Sequence, residues 1–241
     1  MKDISTTKEF YDHSYMEEGI NAQRQYPNEE LCRFMGRNFF DRGISLEQRK
    51  NIRVLELGCG SCANIWMLAR EGFDVYGCDL SSEAIKVGEL TLQKWNVHAT
   101  LDVYDMTNTN YPNDYFDIVI DVFSSNCIDR KNYKRMLKES KRIMKNGARF
   151  FSYFPSKRAD TYCRSKKEDR LDIDTLKSIQ DKKSPYYGQN YPFRFMSEED
   201  VIELFSEANF NIVRLERCGR TYDNGQEYFE WLVFEAVLNS K

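Results

Sequence analysis

RVLELGCGSCANIWMLAREGFDVYGCDL, residues 53 to 80, is the stretch whose reading decides the fold. Val54-Leu55-Glu56-Leu57 is an apolar run of strand length that breaks at Gly58-Cys59-Gly60 into a tight turn. From Ala63 the residues Ile65, Met67, Leu68 and Ala69 fall at helical spacing, and Gly72 stops them. Asp74 to Cys78 then reads as a second strand, with Asp79 at its carboxyl end. A strand, glycine turn, helix, strand unit brings backbone N–H groups and a helix N-terminus close to a ligand. An acid about 20 residues beyond the first glycine can accept hydrogen bonds from both hydroxyls of a ribose. Asp79 stands at that distance from Gly58, so the stretch implies a bound nucleoside.

Glu56 narrows the choice of nucleoside. The first strand of such a fold is buried on both faces, where an ionisable side chain costs desolvation unless a ligand or neighbour partners it. A cationic methionine moiety would supply a partner; a pyrophosphate would repel the carboxylate. Here the stretch resembles motif I of the class I S-adenosylmethionine-dependent methyltransferases, an acid, any residue, then Gly-x-Gly-x-Gly. It matches at Glu56, Gly58 and Gly60, with Asp79 as the following acid. The third glycine is replaced by Cys62, which is small enough for close helix packing if its backbone keeps a negative φ.

The resemblance covers about residues 50 to 155 and 197 to 239 and is strengthened by the rest of the chain. Ser81-Ser82-Glu83-Ala84 caps a helix through Leu92, and Val97 to Val103 reads as a third strand. Phe116 to Phe123 reads as a fourth, Asn132 to Met144 as a helix, and Ala148 to Phe154 as a fifth strand after Lys145-Asn146-Gly147. Ser197 opens a helix that ends at Asn209, followed by strands over Asn211 to Cys218 and Tyr228 to Leu238. The resemblance implies an α/β fold, a Rossmann-like doubly wound seven-stranded sheet with the last strand antiparallel. It divides the single domain into an N-terminal helical lid over 1–50, a cofactor core over 51–155, an insertion over 156–196 and a C-terminal helix and strand pair over 197–241. It implies S-adenosylmethionine as cofactor, held by Tyr11, Tyr15, Glu56, Gly58, Cys59, Gly60, Asn64, Asp79, Leu80, Asp105, Met106, Asp121 and Val122. Asp102 competes with Asp105 for the place facing the adenine amino group, and the spacing favours Asp105.

The 241 residues suffice for one large α/β domain, and a formal net charge of -3 gives no general attraction to nucleic acid or anionic membrane. No apolar run of about 18 residues marks a membrane span, and no export signal opens the chain, which reads as cytoplasmic. Seven scattered cysteines read as reduced thiols; Cys59 and Cys62 lack the two further ligands that a zinc site needs, so no metal is expected. Near the N-terminus, Phe10, Tyr11, Ser14 and Tyr15 share a helix face that ends near Gly19, and a second helix runs from Glu29 to Phe40.

Methyl transfer asks mainly for positioning, with a base only where the acceptor must lose a proton. His13, among the lid tyrosines, is the candidate base; Asp129, Tyr153 and Ser124 are weaker ones, and His98 reads as structural within the third strand. The segment from Ser156 to Phe195 is polar, basic and aromatic, and its length suggests an acceptor lid, against the plainer alternative of a solvated loop with a helix near Asp174 to Ile179. Ser124, Asn126, Arg158, Arg164 and Tyr187 are accordingly the candidate acceptor residues, suited to a phosphorylated or nucleotide-linked small molecule of the kind found in bacterial glycan pathways. An RNA acceptor ranks second. A nicotinamide oxidoreductase, using Ala63 to complete Gly58-x-Gly60-x-x-Ala63, and a silent nucleoside-binding protein of the same fold remain as other classes.

Overall fold

The computed structural model describes residues 4–240. Helix α1 spans Ile4–Glu18 and α2 spans Glu29–Met35, continued by a π-turn over Gly36–Phe40. The short α3 (Leu46–Arg49) leads into β1 (Arg53–Leu57), α4 (Ile65–Arg70), β2 (Asp74–Asp79), α5 (Ser82–Trp95) and β3 (Thr100–Val103). After β4 (Phe116–Val122) come α6 (Arg130–Ile143), β5 (Met144–Pro155), α7 (Asp160–Cys163), β6 (Thr175–Leu176) and β7 (Phe193–Arg194). The chain ends with α8 (Glu198–Glu207), β8 (Phe210–Tyr222) and β9 (Glu227–Leu238).

Seven strands form one sheet in the order β3-β2-β1-β4-β5-β9-β8. β1 pairs parallel with β2 and β4, β4 pairs parallel with β5, and β9 runs antiparallel between β5 and β8. The expected Rossmann-like sheet with its last strand antiparallel is therefore present. Both faces are covered, which is why β1, β4 and β5 read as nearly continuous apolar runs. Val54, Ile118, Ile120, Phe151 and Val233 share one core with Phe34, which stacks on Phe151 at 4.9 Å. Leu55, Leu57, Val119, Phe150 and Phe234 share the other with α6 and α8. Strand order reverses at β1, with β2 on one side and β4 on the other, and that switch point opens a crevice at the carboxyl ends.

Several expectations need correction. The third strand starts at Thr100, so His98 lies in the exposed turn after α5, not within a strand. Strand β5 starts at Met144, directly after the helix: Phe116 pairs with Met144 and Ile118 with Arg149, so Lys145-Asn146-Gly147 belong to a bulge, eased by the positive φ of Gly147. No helix forms over 174–179. Thr175–Leu176 pair instead with Phe193–Arg194, because Asp174 is fully buried and draws Lys157, Arg130 and Arg194 around it. Tertiary ion pairing there outweighs local helix preference. The base of this segment is closed by Lys157 N–H donating to the Met196 carbonyl (2.9 Å) and Met196 N–H to the Pro155 carbonyl (2.9 Å). No helix among the described residues is long and apolar enough to cross a membrane.

Candidate functional site

The crevice at the carboxyl ends of β1, β2, β3 and β4 is lined by twelve of the thirteen expected cofactor residues, Asp121 excepted. Its floor is the glycine turn. Gly58 has φ +63, and a Cβ there would lie 2.5 Å from Cβ of Ser124; Gly60 has φ +50, and its Cβ would lie 2.5 Å from the Tyr15 hydroxyl. Each glycine is thus required twice over, by its left-handed backbone and by the neighbour that occupies the side-chain space. Cys62 also has a positive φ, +63, contrary to the expected negative value. Its sulfur fills the space above Gly88, as that of Cys59 does above Gly77, so this strained backbone is held by packing on two further glycines.

Glu56 is 3 % exposed near the carboxyl end of β1. Its Oε1 accepts from Asn64 Nδ2 at 2.5 Å, and Asn64 Oδ1 in turn accepts from the Asn28 N–H at 2.9 Å. Its Oε2 has no hydrogen-bond partner among the described residues. Burial pushes the Glu56 carboxyl up to about 8, against the opposing pull of Asn64 and Arg24. A buried carboxylate oxygen without a partner, opening on a crevice, is a place for a cationic donor. Arg24 also lines the crevice, although nothing in the sequence singles it out. It is exposed at the rim, and crowding of its guanidinium by surrounding atoms lowers its basicity, with Glu56 the strongest opposing influence. No motif announces it, since its position depends on Ser61 Oγ and Trp66 Nε1 holding the Arg24 and Gln25 carbonyls, at 3.4 and 3.1 Å.

Asp79 Oδ2 accepts from the Gly60 N–H and Oδ1 from the Ser81 N–H, both at 2.9 Å. The acid therefore fastens the glycine turn to the start of α5 and still presents a free lone pair on each oxygen. Burial raises its carboxyl above the usual range, with those two N–H groups opposing. Asp105 accepts from Thr107 N–H at 2.8 Å and lines the crevice beside Met106. Asp102 faces elsewhere and takes the Tyr111 hydroxyl at 2.8 Å.

Tyr11 and Tyr15 on α1 enclose the crevice from above; burial holds both hydroxyls well above the usual tyrosine range, so they stay O–H donors. The other expected residues divide. Ser124 lines the crevice, its Oγ 2.6 Å from the Leu57 carbonyl and 2.7 Å from Asp121. Asp121 lies beneath, fully buried, its carboxylate taken by Ser124, Ser125 and Ser152, so its visible work is to hold the 124–127 turn. Asn126 is fully buried and outside the lining. His13 points to solvent and lines nothing. Arg158, Arg164 and Tyr187 are also outside the crevice: Arg164 is spent on Glu227 and Asp181, Arg158 sits 3.8 Å from Glu198, and Tyr187 is exposed.

The residues present fit S-adenosylmethionine: an orphaned carboxylate oxygen and an arginine for the two charges of an amino-acid tail, Asp79 for ribose hydroxyls, and Asp105 with Met106 for a base. The comparisons agree. Residues 54–147 match the family model of the methyltransferase domain. The chain is 24 % identical over 245 residues to the tRNA N(3)-methylcytidine methyltransferase trm141 of Schizosaccharomyces pombe, covering 93 % of this chain and 92 % of that protein. Among solved structures, it resembles an S-adenosylmethionine-dependent methyltransferase from Methanosarcina mazei (TM-score 0.66, 20 % identity, 84 % of this chain and 98 % of that one). It also resembles magnesium protoporphyrin IX methyltransferase from Synechocystis PCC 6803 with bound S-adenosylhomocysteine (TM-score 0.67, 14 % identity, 98 % and 99 %). Fold, crevice and domain match agree: residues 54–147 match a methyltransferase domain, the fold is that of the S-adenosylmethionine-dependent methyltransferases the chain resembles, and the crevice residues suit S-adenosylmethionine as cofactor.

Proposed function

We propose that the protein transfers a methyl group from S-adenosylmethionine to a small molecule held in an aromatic chamber roofed by α1 and the 156–196 insertion. One observation carries this reading: the two roofing elements meet. The Tyr11 and Tyr191 hydroxyls are 2.9 Å apart, the Phe10 and Tyr191 rings 4.9 Å apart, and Thr7 Oγ1 donates to the Cys127 carbonyl at 3.2 Å. A roof joined in this way favours an acceptor that can be enclosed over a bulky polymer. The cofactor brings the reactive group, so the chain's own residues act by positioning it and by excluding water. Asp79 and Glu56 fix the donor, while Tyr11 and Tyr15 remain protonated and serve as hydrogen-bond donors. With His13 in solvent, this arrangement suits acceptors whose attacking atom already carries a free lone pair.

The likeness to trm141 favours a second reading, an RNA acceptor, reached if the roof opens. Methyl transfer from labelled S-adenosylmethionine to a panel of sugar nucleotides, phosphorylated metabolites and tRNA separates the two. Labelling of a small molecule is expected; labelling of tRNA alone would replace the first reading with the second. A cytoplasmic location belongs to the same proposal.

A further inference from the structure

The segment from Arg130 to Lys145 carries eight cations and one acid, in a chain whose formal net charge is -3. All the cations but Lys145 lie on α6, where helical spacing sorts them. Tyr133, Met136, Leu137 and Ile143 are buried in the core shared with Leu55 and Val119. The one acid, Glu139, is also turned inward: it accepts from the Thr109 N–H at 2.7 Å and pairs with Arg142 at 2.7 Å. Lys131, Lys134, Arg135 and Lys138 are exposed on the opposite side. Lys131, Arg135 and Lys138 follow at i, i+4, i+7 and so stand one above another, roughly one per turn of about 5.4 Å.

Two cations of this helix are neutralised from outside it. Lys134 lies 2.8 Å from Glu207 of α8, and Arg130 is held by the buried Asp174. Among the described residues, Lys131, Arg135, Lys138 and Lys141 have no carboxylate within ion-pair distance. Arg135 reaches the Asn132 side-chain oxygen, 3.2 Å away on the same helix.

This pattern works against the helix that carries it. Lys131 with Arg135, Lys134 with Lys138, and Lys138 with Arg142 are like charges at i, i+4, and Arg130 and Lys131 stand at the positive end of the helix dipole. A face that is only solvated gains from acids at such places, as the first turn of α8 does with Glu198, Glu199 and Asp200. Local stability therefore does not account for the charge on α6, whereas a polyanion laid along it does. Its place also matters. Ile128 lines the crevice and α6 begins two residues later, so the stripe starts at the crevice mouth and runs about 15 Å from Lys131 to Lys141. An anionic membrane fits less well, because the apolar face of α6 is packed in the core and none of the exposed large apolar side chains lies on this helix.

We propose that the outer face of α6 seats the phosphate backbone of an RNA through Lys131, Arg135, Lys138 and Lys141. Charge pairing of this kind carries no sequence preference and fixes only where the strand lies. The choice of RNA rests on the second reading above: a strand on α6 reaches the crevice mouth at Lys131.

Fluorescence anisotropy tests the seat with a labelled tRNA transcript, a mixed-sequence single-stranded RNA and a DNA of equal length, each over a range of potassium chloride concentrations. Sedimentation with phosphatidylserine vesicles tests the membrane. One triple variant joins Lys131→Gln, Arg135→Gln and Lys138→Gln. A second joins Lys50→Gln, Arg70→Gln and Lys94→Gln, an equal change of charge on or beside helices of the other face of the sheet. Wild type should bind RNA with a Kd of about 10⁻⁴–10⁻⁶ M. The α6 variant should bind at least about tenfold more weakly, with the slope of log affinity against log salt reduced by about 2, while the second variant stays within about threefold of wild type. Neither set lines the crevice, so both should keep the wild-type melting temperature and S-adenosylhomocysteine affinity. Absence of RNA binding, equal losses in the two variants, tighter binding of the DNA, or binding of vesicles in preference to RNA would each overturn the seat. RNA held through α6 but never methylated would keep the seat and remove the RNA acceptor; failure of S-adenosylhomocysteine to bind, with RNA still held through α6, would keep the seat and remove the methyltransferase reading.

Discussion

The cofactor side and the acceptor side of the crevice are built on different principles. The cofactor side is made of strand ends and backbone: Gly58 and Gly60 at positive φ, N–H groups of Gly60 and Ser81 on Asp79, and one orphaned oxygen of Glu56. The proposed acceptor side is made of side chains brought from distant segments. Tyr11 meets Tyr191 across 180 positions, and Thr7 meets the Cys127 carbonyl across 120. Backbone geometry tolerates almost no substitution. Side-chain walls can be rebuilt with little effect on the rest, so such a protein can change its acceptor while its cofactor site stays fixed.

The sharpest attempt to break that contrast is Gly58→Val. A β-branched residue at φ +63, with its Cβ driven into Ser124, should cost about 3 kcal/mol and abolish binding of S-adenosylhomocysteine, as thermal melts and calorimetry would register. A variant with wild-type affinity would mean that the turn is not the cofactor floor. Asp79→Ala comes next: it removes two charge-assisted bonds worth about 1.5–3 kcal/mol each, so affinity should fall about a hundredfold or more. It also frees the N–H groups of Gly60 and Ser81, so some loss of thermal stability accompanies it.

Glu56 yields a pH test. Its carboxyl is pushed up to about 8 in the free protein, and an ammonium beside it would favour the ionised form. Cofactor affinity should therefore rise close to tenfold per unit as pH increases toward 8 and level off above it, with a proton released on binding. Stability moves the other way. Between the ordinary 4.5 and about 8 the folded state holds a proton that the unfolded state lacks, so the free protein loses stability as pH rises through that window. Glu56→Gln should flatten both dependences; an unchanged pH profile in that variant would clear Glu56 of the role.

On the acceptor side the expected effects are smaller. Arg164→Ala should lower stability by about 1 kcal/mol, well under the cost of breaking a fully buried pair because its side chain is 39 % exposed, and should leave the acceptor's Michaelis constant unchanged. Arg158→Glu should do still less, since Arg158 is 58 % exposed and 3.8 Å from Glu198. A large rise in the Michaelis constant with either variant would restore the insertion's basic residues to the acceptor site.

What the sequence determined by itself lies along β1 to β4. Glu56, Gly58, Gly60, Asp79 and Asp105 reach one crevice because a parallel strand has one carboxyl end, so spacing along the chain translates directly into position in space. Only the tertiary structure decided which cations are free. Arg158 and Arg164 look like ligands in a basic run, yet their charges meet Glu198, Asp181 and Glu227 from elsewhere in the chain. Arg24 carries no motif, yet it lines the crevice. Cys62 shows the same limit at a single residue. Its identity permitted close packing, but its left-handed backbone depends on the space over Gly88, which α5 supplies only once it has docked. Local periodicity records what each segment buries; a side chain's partner is fixed by long-range contacts that no local pattern encodes.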